Sequence, residues 1–430
     1  MGDAATTGYE SVDWFTDQSI IDDPSPYYRF LREQRGPVWI EPHQGVVIVT
    51  GHDEALAVYR DHAVYSSCNA PAGPFPGLPA APEGDDANEL IEQHRASMPM
   101  SGYMATFDPP EHSAYRSLLT GLFTPKRLKE NEAFMWRLAD RQLDEFVATG
   151  RCEFIRDFSE PFTALVIADL LGVPDDDLSR FRAWFQAQKT SGRIDEQMTH
   201  PEDTNSLSFF ESTFTAYIEE RRHQPRDDVL THLAQVTFPD GSTPPVRVLA
   251  NEAAFLFAAG QETTARSLAF ALQYLAEDSS LQASLRGDRD AIPAFVEEIF
   301  RLQSPVKCHF RMARHTTTLG GVEVKAGTTV MLLIGAINRD PSRFDAADEL
   351  RLDRTGIFEH VAFARGVHTC LGQQLARAEM RVALERIFDR TTDLRISGAE
   401  HGPPRARRYE YDPTFFFRGL RALHLEFVPA

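Results

Sequence analysis

The chain has 430 residues, of which 42% are hydrophobic and 25% charged, so it can bury a large core and is not a disordered protein. Its 44 basic and 63 acidic residues give a net charge of −19, which argues against a nucleic-acid partner because phosphate recognition needs clustered Lys and Arg. The four cysteines form no CxxC pair, which excludes a small disulfide scaffold and a Cys-rich zinc site. No apolar run reaches the roughly 18 residues of a membrane span. The first residues do not resemble a signal peptide, and we therefore predict a cytoplasmic protein.

Helical periodicity dominates the sequence, and β-like runs are few and short. In chain order, the spacing of apolar residues predicts helices over 127–148, 155–172, 205–222, 247–277, 291–302 and 373–390. Runs rich in β-branched residues predict strands at 46–50, in a turn-separated pair within 316–333, and at 421–428. Because there is no internal repeat and no low-complexity linker, we expect one domain over 1–430, mainly α with a minor β part (α+β).

Two segments depart from this pattern. Residues 65–105 contain PAGPFPGLPAAPEG, a stretch rich in Pro and Gly that cannot hold a regular element and that favours a lid or binding loop. Residues 186–205 are polar and irregular, and we expect a second variable segment there. A surface excursion with no role is the alternative.

Cys370 lies in VAFARGVHTCLGQQLARAE, just before the last predicted helix. The free N–H groups and the dipole of a helix N-terminus favour a thiolate over a thiol at this position. Gly366 and Gly372 allow the backbone to pass close to a flat, bulky group, and Phe363 can shield the sulfur. A lone Cys near a helix is usually an inert core residue, but these glycines, Phe363 and His368 argue against that interpretation.

The pattern F-x-x-G-x-x-x-C-x-G, formed by Phe363, Gly366, Cys370 and Gly372, resembles the haem-binding loop of the cytochrome P-450 family. In that family the Cys thiolate is the proximal ligand of the haem iron. The family commonly has Gly one residue after the Phe, where this chain has Ala364. The resemblance implies haem b (iron protoporphyrin IX) as the cofactor. It also implies a P-450-type fold in which the haem lies between a long distal helix and the Cys loop with its helix.

The sequence NEAAFLFAAGQETTARSLAF places Phe255, Ala259 and Thr263 at i, i+4 and i+8, on one helical face. Gly260 in mid-helix costs about 1 kcal/mol relative to Ala, and together with Ala259 it leaves room beside that face. A Thr263 hydroxyl that turns back to a carbonyl can open the helix into a pocket, whereas a buried helix with a packing glycine is the alternative. The segment resembles the distal A-G-x-[DE]-T helix of the family. This resemblance implies that Thr263 is the alcohol and Glu262 the acid of a proton-delivery pair.

A third segment contains Glu298 and Arg301, which can pair at i and i+3 on one helical face. Taken alone they form an ordinary surface pair. They resemble the E-x-x-R helix of the family, which implies a buried structural pair on the proximal side. A third Arg often joins this pair in the family, but here Glu349 stands at the usual position, so the third member stays open.

A fourth segment begins with D-P-P at a predicted helix start, after which His112 and Arg116 share a helical face. Two cationic side chains at this spacing repel each other unless an anion lies between them. The resemblance implies that this anion is the pair of haem propionates, with Arg311 and His368 as further partners. Solvated helix charges are the alternative.

The resemblance implies a monooxygenase that inserts one oxygen atom of O2 into a C–H bond of a hydrophobic small molecule. Because the chain offers neither the Cys set nor the segment for a flavin or iron–sulfur module, we expect electrons from a ferredoxin and its NAD(P)H-dependent reductase. Six basic residues could form a patch that steers an acidic ferredoxin, namely Lys126, Arg127, Lys129, Arg365, Arg377 and Arg381. Solvated helix charges are an equal alternative.

By the same resemblance, the substrate pocket draws on the 65–105 loop, the distal helix, the strand at 306–310 and residues 415–417. Its candidate lining residues are apolar or aromatic, namely Met98, Met100, Tyr103, Met104, Phe255, Ala259, Val306, Phe415 and Phe416. Such a lining favours a terpenoid, a branched lipid or an aromatic compound. Lys307 and His309 could anchor a carboxylate, but strand alternation places them opposite Val306 and Cys308, so only one of these pairs can face the substrate.

Three other functions are weighed against a reductase-fed monooxygenase. A haem-thiolate sensor or carrier without turnover would not need the Glu262–Thr263 pair. A peroxide-driven peroxygenase would be expected to replace that pair. A hydrolase with Cys370 as nucleophile lacks any oxyanion motif in this sequence and would be colourless.

Overall fold

The computed structural model describes residues 8–187 and 207–430. Within them the α-helices are α1 (Gln18–Asp22), α2 (Ser25–Gln34), α3 (His52–Arg60), α4 (Asn88–His94), α5 (Glu111–Leu119), α6 (Pro125–Asp144), α7 (Glu160–Leu171), α8 (Asp175–Ala187), α9 (Ser208–His223), α10 (Val229–Gln235), α11 (Val246–Glu277), α12 (Ser279–Gly287), α13 (Ile292–Leu302), α14 (Ile334–Ile337), α15 (Gln373–Arg390) and α16 (Gly398–His401). The strands are β1 (Val38–Ile40), β2 (Val47–Val49), β3 (Tyr65–Ser66), β4 (Arg151–Glu153), β5 (Cys308–Ala313), β6 (Thr317–Leu319), β7 (Val322–Val324), β8 (Thr329–Leu333), β9 (Thr391–Ile396) and β10 (His424–Pro429). The predicted class, mainly α with a minor β part, is confirmed.

The strands of the described residues form a five-stranded sheet, a three-stranded sheet and a hairpin. The largest sheet has the order β1-β2-β8-β5-β3, with β2 and β8 parallel and the other pairs antiparallel. The hairpin β6–β7 turns at Gly320 and Gly321, which have φ of 54° and 82°, a region that favours glycine. The predicted turn-separated pair within 316–333 is therefore this hairpin, followed by β8, which joins the larger sheet.

Helix α11 is the central element of the helical part, with 32 residues. It packs against α7, α9, α13 and α15, and for this reason most of its side chains from Leu249 to Leu275 are buried. Helix α15, which follows the Cys370 loop, packs in turn on α6 and α13. These contacts place the middle of α11 opposite the loop that carries Cys370. Among the described helices, none combines the length and the apolar character needed to cross a membrane.

The predicted helices are present with shifted ends. The segment predicted as 155–172 begins with a π-helical turn, Ile155–Ser159, before α7 starts. The segment predicted as 127–148 ends at Asp144, because a 3-10 turn that closes at Gly150 follows it. The Pro-rich stretch 71–84 has neither helix nor strand, as predicted, but the wider loop holds α4, which the sequence analysis missed. The predicted variable segment 186–205 lies outside the described residues except for the last two residues of α8.

Glu298 and Arg301 are both 0% exposed and are joined by two hydrogen bonds of 2.7 and 2.9 Å. The third Arg is Arg354, whose Nε donates to Glu298 Oε1 at 2.9 Å. Glu349, which stands where the third Arg was expected, contributes its backbone carbonyl, which accepts from both arginines. Because only the backbone at 349 takes part, the side chain there can be Glu. The position that the family commonly uses for the third Arg therefore did not identify Arg354.

The loop before α5 is tied to α11 by a buried carboxylate. Glu252 is 0% exposed, and its Oε1 accepts the Met104 N–H at 2.7 Å, whereas Oε2 has no partner among the described residues. Burial raises the pKa of Glu252 to about 7, against the opposing effect of the Met104 amide. The Glu252 carboxyl group that links this loop to α11 therefore loses its proton near neutral pH.

We predict that Glu298→Gln lowers the free energy of unfolding by about 3–5 kcal/mol, because it leaves the buried Arg301 guanidinium without a full counter-charge. Urea unfolding followed by circular dichroism measures the change. The matched control is Asp393→Asn, which removes an acid from an ion pair whose two side chains are each 58% exposed and should change the value by less than about 1 kcal/mol. Equal effects of the two substitutions would contradict the structural role of the triad.

A second prediction concerns pH. Between the ordinary pKa of 4.5 and the raised value of about 7, folded Glu252 keeps a proton that the unfolded chain has released, so stability falls as pH rises through this window. The shift corresponds to about 3 kcal/mol. Glu252→Gln keeps the acceptor for Met104 and removes the titration, so its urea midpoint should fall less than that of the wild type between pH 5 and pH 8. The exposed Glu83→Gln should keep the wild-type pH dependence, and an unchanged dependence in Glu252→Gln would refute the prediction.

Candidate active site

A cavity of about 350 Å³ lies between the middle of α11 and the Cys370 loop. On one side it is lined by α11 and on the other by Phe363 and Cys370, while the segment before α5 and residues 416–417 close further sides. The Cys370 side chain is exposed to this cavity, whereas Cys68, Cys152 and Cys308 are buried. Of the four thiols, only that of Cys370 is therefore open to a ligand.

The loop fixes the sulfur through backbone contacts. The Cys370 N–H donates to the Phe363 carbonyl at 2.9 Å, and Ala364 and Gly366 have φ of 55° and 71°. A Cβ at Gly366 would lie 2.2 Å from the Tyr59 carbonyl oxygen, so this glycine is required by its contact with α3. Gly366 does not line the cavity, whereas Gly372 does, so only Gly372 can make the close backbone approach that was expected of both. Ala364 takes a left-handed conformation, which accounts for the Gly that the family commonly has there.

The charge on the Cys370 sulfur is set by opposing effects. Burial raises the pKa of Cys370, and the N–H groups of Gly372 and Gln373 together with Arg116 and Arg377 oppose this. The predicted effect of the helix start is therefore present but is outweighed by burial, because the surroundings are mostly apolar. A bound metal cation deprotonates a coordinating thiol outright, so iron at this sulfur would supply the missing charge.

The α11 face of the cavity is formed by small residues. Ala259, Gly260 and Thr263 all line it, and Thr263 Oγ1 donates to the Ala259 carbonyl at 2.8 Å, the bond expected from the sequence. The helix continues without a break through these residues, so the predicted opening is absent. A Cβ at Gly260 would lie 3.2 Å from the Ile167 side chain, which identifies close packing against α7 as one reason for glycine here.

Glu262 does not line the cavity, in contrast to Thr263. Its carboxylate pairs with Arg266 one turn further along α11, and Arg266 also contacts Asp412 at 3.0 Å. The Glu262 side chain is 17% exposed. The acid and the alcohol that adjoin in the sequence therefore point to different surroundings, because neighbouring helix positions differ by about 100° in direction.

The polar end of the cavity suits an anion. His112, Arg116, Arg311 and His368 all line it, although they come from three separate parts of the chain. Both ring nitrogens of His112 and Nε2 of His368 are buried without a hydrogen-bond partner, and the two rings lie 4.0 Å apart. Burial, followed by Arg116, lowers the pKa of His112 to about 4.

Neither of the two arginines forms an ion pair among the described residues, since Arg116 donates to the Thr369 carbonyl and Arg311 to that of Phe310. A buried guanidinium group, a half-buried one and unpartnered ring nitrogens around one space are what two carboxylates would satisfy. An exposed sulfur, an apolar wall and this cationic end together fit an iron porphyrin with two propionates.

The candidate substrate residues divide into two groups. Those that line the cavity are Met100, Met104, Phe255, Ala259, Val306 and Phe416. Met98, Tyr103 and Phe415 do not line it, contrary to expectation. Met98 packs in a separate buried cluster with Cys68 and Met312, and Phe415 packs against Phe15 and Phe75. The Tyr103 hydroxyl donates to Glu211 of α9.

Phe417 and His309 also line the cavity. Phe417 was absent from the predicted lining residues, although the segment 415–417 was expected to contribute, and His309 was considered only as an anchor for a carboxylate. Val306 and His309 face it together because β5 begins only at Cys308, so strand alternation does not yet hold at Val306. Lys307 donates instead to the Thr414 carbonyl. The His309 Nδ1 lies 2.7 Å from the Tyr59 hydroxyl, and burial lowers the pKa of His309 to about 3, so this ring is neutral. The F-F-F run at 415–417 was the available signal for Phe417.

Comparison with known proteins identifies the family that this chain resembles. Residues 197–392 match the sequence model of the cytochrome P450 family. Cytochrome P450 CYP150A6 of Mycobacterium marinum, solved in a substrate-free form, is 54% identical, with a TM-score of 0.92 and coverage of 98% of this chain and 100% of that one. Cytochrome P450 144 of Mycobacterium tuberculosis is 33% identical over 67% of this chain and 66% of its own length. A steroid C26-monooxygenase of Mycolicibacterium smegmatis is 29% identical over 94% of this chain and 92% of its own length.

The match over the full length of a solved relative, the fold, and a cavity suited to a porphyrin lead to one assignment. The chain belongs to the cytochrome P450 family, the haem-binding monooxygenases whose iron is held by a Cys thiolate.

Proposed function

We propose that this chain hydroxylates a C–H bond of a hydrophobic small molecule of the terpenoid, branched-lipid or aromatic class, with a steroid skeleton as the first candidate. The observation that carries the proposal is the cavity, in which the accessible Cys370 sulfur lies opposite Thr263 and the remaining walls are mostly apolar. The steroid candidate is supported by the printed name of the steroid C26-monooxygenase, which matches over nearly the whole chain.

Bound haem supplies the oxidative chemistry, in the balance RH + O2 + 2e⁻ + 2H⁺ → ROH + H2O. The chain supplies the ligand and the walls. Cys370 would hold the iron from one side, and His112, Arg116, Arg311 and His368 would hold the propionates.

The substrate would be held against apolar and aromatic side chains that come from four parts of the chain, namely Met100, Met104, Phe255, Val306, Phe416 and Phe417. These residues would exclude water from the reacting carbon, and the small Ala259 and Gly260 leave room beside α11. A hydrophobic ligand without charge fits this lining. Because Lys307 is engaged elsewhere and the His309 ring is neutral, neither of them provides a cation for a carboxylate.

We assign proton delivery to Thr263 and Glu262. Thr263 Oγ1 holds its proton in a bond to the Ala259 carbonyl and can turn it toward the cavity. Glu262 lies outside the cavity, partly exposed and paired with Arg266, so it would take protons from solvent and reach the cavity by changing its partner.

We further propose a ferredoxin with its NAD(P)H-dependent reductase as electron donor. Lys126 and Lys129 are exposed, and Phe358, 63% exposed, is the most exposed large apolar side chain of the described residues. The guanidinium of Arg365 bonds only to the carbonyls of Phe358 and His360, so its charge is not cancelled locally. Three other members of the predicted patch are paired with acids, namely Arg127 with Asp169, Arg377 with Glu297 and Arg381 with Glu132, which reduces the patch. Lys126 lies 3.9 Å from Glu130 in a pair that is exposed to solvent.

The proposal of a steroid-type substrate predicts a binding spectrum. Titration of the haem-loaded protein with steroids should displace a water ligand of the ferric iron and shift the Soret band, with Kd in the micromolar range. Phe416→Ala should weaken this binding about tenfold, since it removes an aromatic wall. Phe415→Ala, next in sequence but outside the cavity, is the matched control. Binding of linear fatty acids alone would refute the steroid candidate.

The proton-delivery proposal predicts that Thr263→Ala lowers the coupling of NAD(P)H consumption to product by about tenfold or more, with the missing electrons recovered as hydrogen peroxide. Thr263→Ser keeps the hydroxyl and should retain most of the coupling. Product and peroxide are measured in the same turnover sample. Full coupling in Thr263→Ala would contradict the role.

For the electron donor, we predict that the double variant Lys126→Glu, Lys129→Glu slows reduction by an acidic ferredoxin by about tenfold at low salt, with a smaller effect at high salt. Phe358→Ser should slow it at all salt concentrations. Stopped-flow reduction under CO measures both, and the exposed Val428→Ser is the control. An unchanged rate in all variants would exclude these residues from the docking site of the ferredoxin.

A further inference from the structure

Glu297 directly precedes Glu298 on α13, but it contacts a different part of the molecule. Its side chain is 3% exposed. Oε1 accepts from Arg377 Nε at 2.5 Å, and Oε2 accepts from Arg377 at 3.0 Å and from His360 Nε2 at 2.8 Å. Whereas Glu298 joins Arg354 of a later loop to α13, Glu297 joins α13 to α15, the helix that follows Cys370.

The Arg377 guanidinium lies next to the Cys370 loop. It is centred 4.7 Å from the Phe363 ring, and the backbone carbonyl of Phe363 accepts the Cys370 N–H. A further bond to the Gln373 side chain at 3.0 Å holds it over the start of α15. The guanidinium therefore lies between the Glu297 carboxylate and the loop that carries Cys370.

The third member of this cluster is neutral. His360 is buried, and its Nδ1 accepts from the Ala362 N–H at 3.3 Å, which leaves Nε2 to donate to Glu297. Burial lowers the pKa of His360, so the ring adds no charge at neutral pH. The net charge of the cluster is therefore that of one carboxylate and one guanidinium.

We propose that Glu297 is a positioning residue for the haem thiolate: it fixes the Arg377 guanidinium against Phe363 and offsets its charge, and it thereby sets the reduction potential of the iron bound to Cys370. Removal of the carboxylate would leave an uncompensated positive charge near the iron and favour the ferrous state. Removal of the guanidinium would leave a negative charge and favour the ferric state. A purely structural role predicts no such opposition of sign.

The experiment is a dithionite titration of the haem-loaded, substrate-free protein, followed by its absorption spectrum. Glu297→Gln should favour the ferrous state by up to about tenfold, equivalent to about 59 mV for a one-electron couple, and Arg377→Gln should shift the potential by a similar amount in the opposite direction. The double variant should return close to the wild-type value. Shifts of the same sign, or no shift in either single variant, would overturn the proposal.

Two further sets of variants keep the test decisive. Arg381 is one turn beyond Arg377 on α15 and pairs with Glu132 of α6 at 2.5 Å, so Glu132→Gln and Arg381→Gln are matched controls and should leave the potential unchanged. Arg377→Lys keeps the positive charge, so its equilibrium between the ferric and ferrous states should remain within about twofold of that of the wild type. If Glu297→Gln does not retain haem, the reduction potentials of Arg377→Gln and Arg377→Lys are compared instead. A shift in Arg377→Gln alone supports the proposal, and equal potentials overturn it.

The inference rests on thiolate-ligated haem and on neither the proposed substrate nor the proposed electron donor. No steroid or ferredoxin enters the titration, so its result is separate from theirs. If Cys370 does not ligate the iron, the ferrous-CO spectrum of the wild type lacks the band of a thiolate ligand, and this is seen before any variant is compared.

Discussion

The Cys370 sulfur reaches the cavity because its loop is fixed at both ends. Toward the start, the Phe363 carbonyl accepts the Cys370 N–H, and Gly366 passes against the Tyr59 carbonyl so closely that no side chain fits. Toward the end, the loop runs directly into α15, which packs on α6 and α13. The thiol is thus held in an accessible position inside an otherwise apolar region. The same cavity also contains the cationic groups at its edge and the small residues of α11. A haem bound to that sulfur accounts for all of these features together.

The proximal side also depends on two adjacent carboxylates that act separately. Glu298 accepts hydrogen bonds from Arg301 and Arg354 and so ties α13 to the loop after α14. Glu297 holds Arg377, which lies against Phe363. Both are buried, and both hold buried or half-buried guanidinium groups at a cost in desolvation that only complete hydrogen bonding offsets. Of these two neighbours on one helix, Glu298 contributes to stability, and Glu297 is the residue proposed to set the reduction potential.

Much of the fold and of the site could be predicted from local sequence. The period of apolar residues identified the long helices, and the fixed spacing around Cys370 and Thr263 identified the two faces of the cavity. What failed depended on contacts between distant segments. Met98 and Phe415 are as apolar as Met100 and Phe416, and only the packing of the loop and of the 415–417 turn decides which side chain faces the cavity. Arg354 was missed because the cluster uses the backbone at Glu349, and Glu297 was missed because its partner is 80 residues away in sequence.

The central claim is that Cys370 ligates haem iron, and the ferrous-CO spectrum tests it most directly. We expect the wild type and Cys308→Ser, which alters a buried thiol outside the cavity, to show the long-wavelength Soret band of a thiolate ligand. Cys370→Ser should lose this band while it remains folded by circular dichroism. A thiolate-type band that survives in Cys370→Ser, or a wild type whose spectrum is that of a nitrogen ligand, would contradict the account.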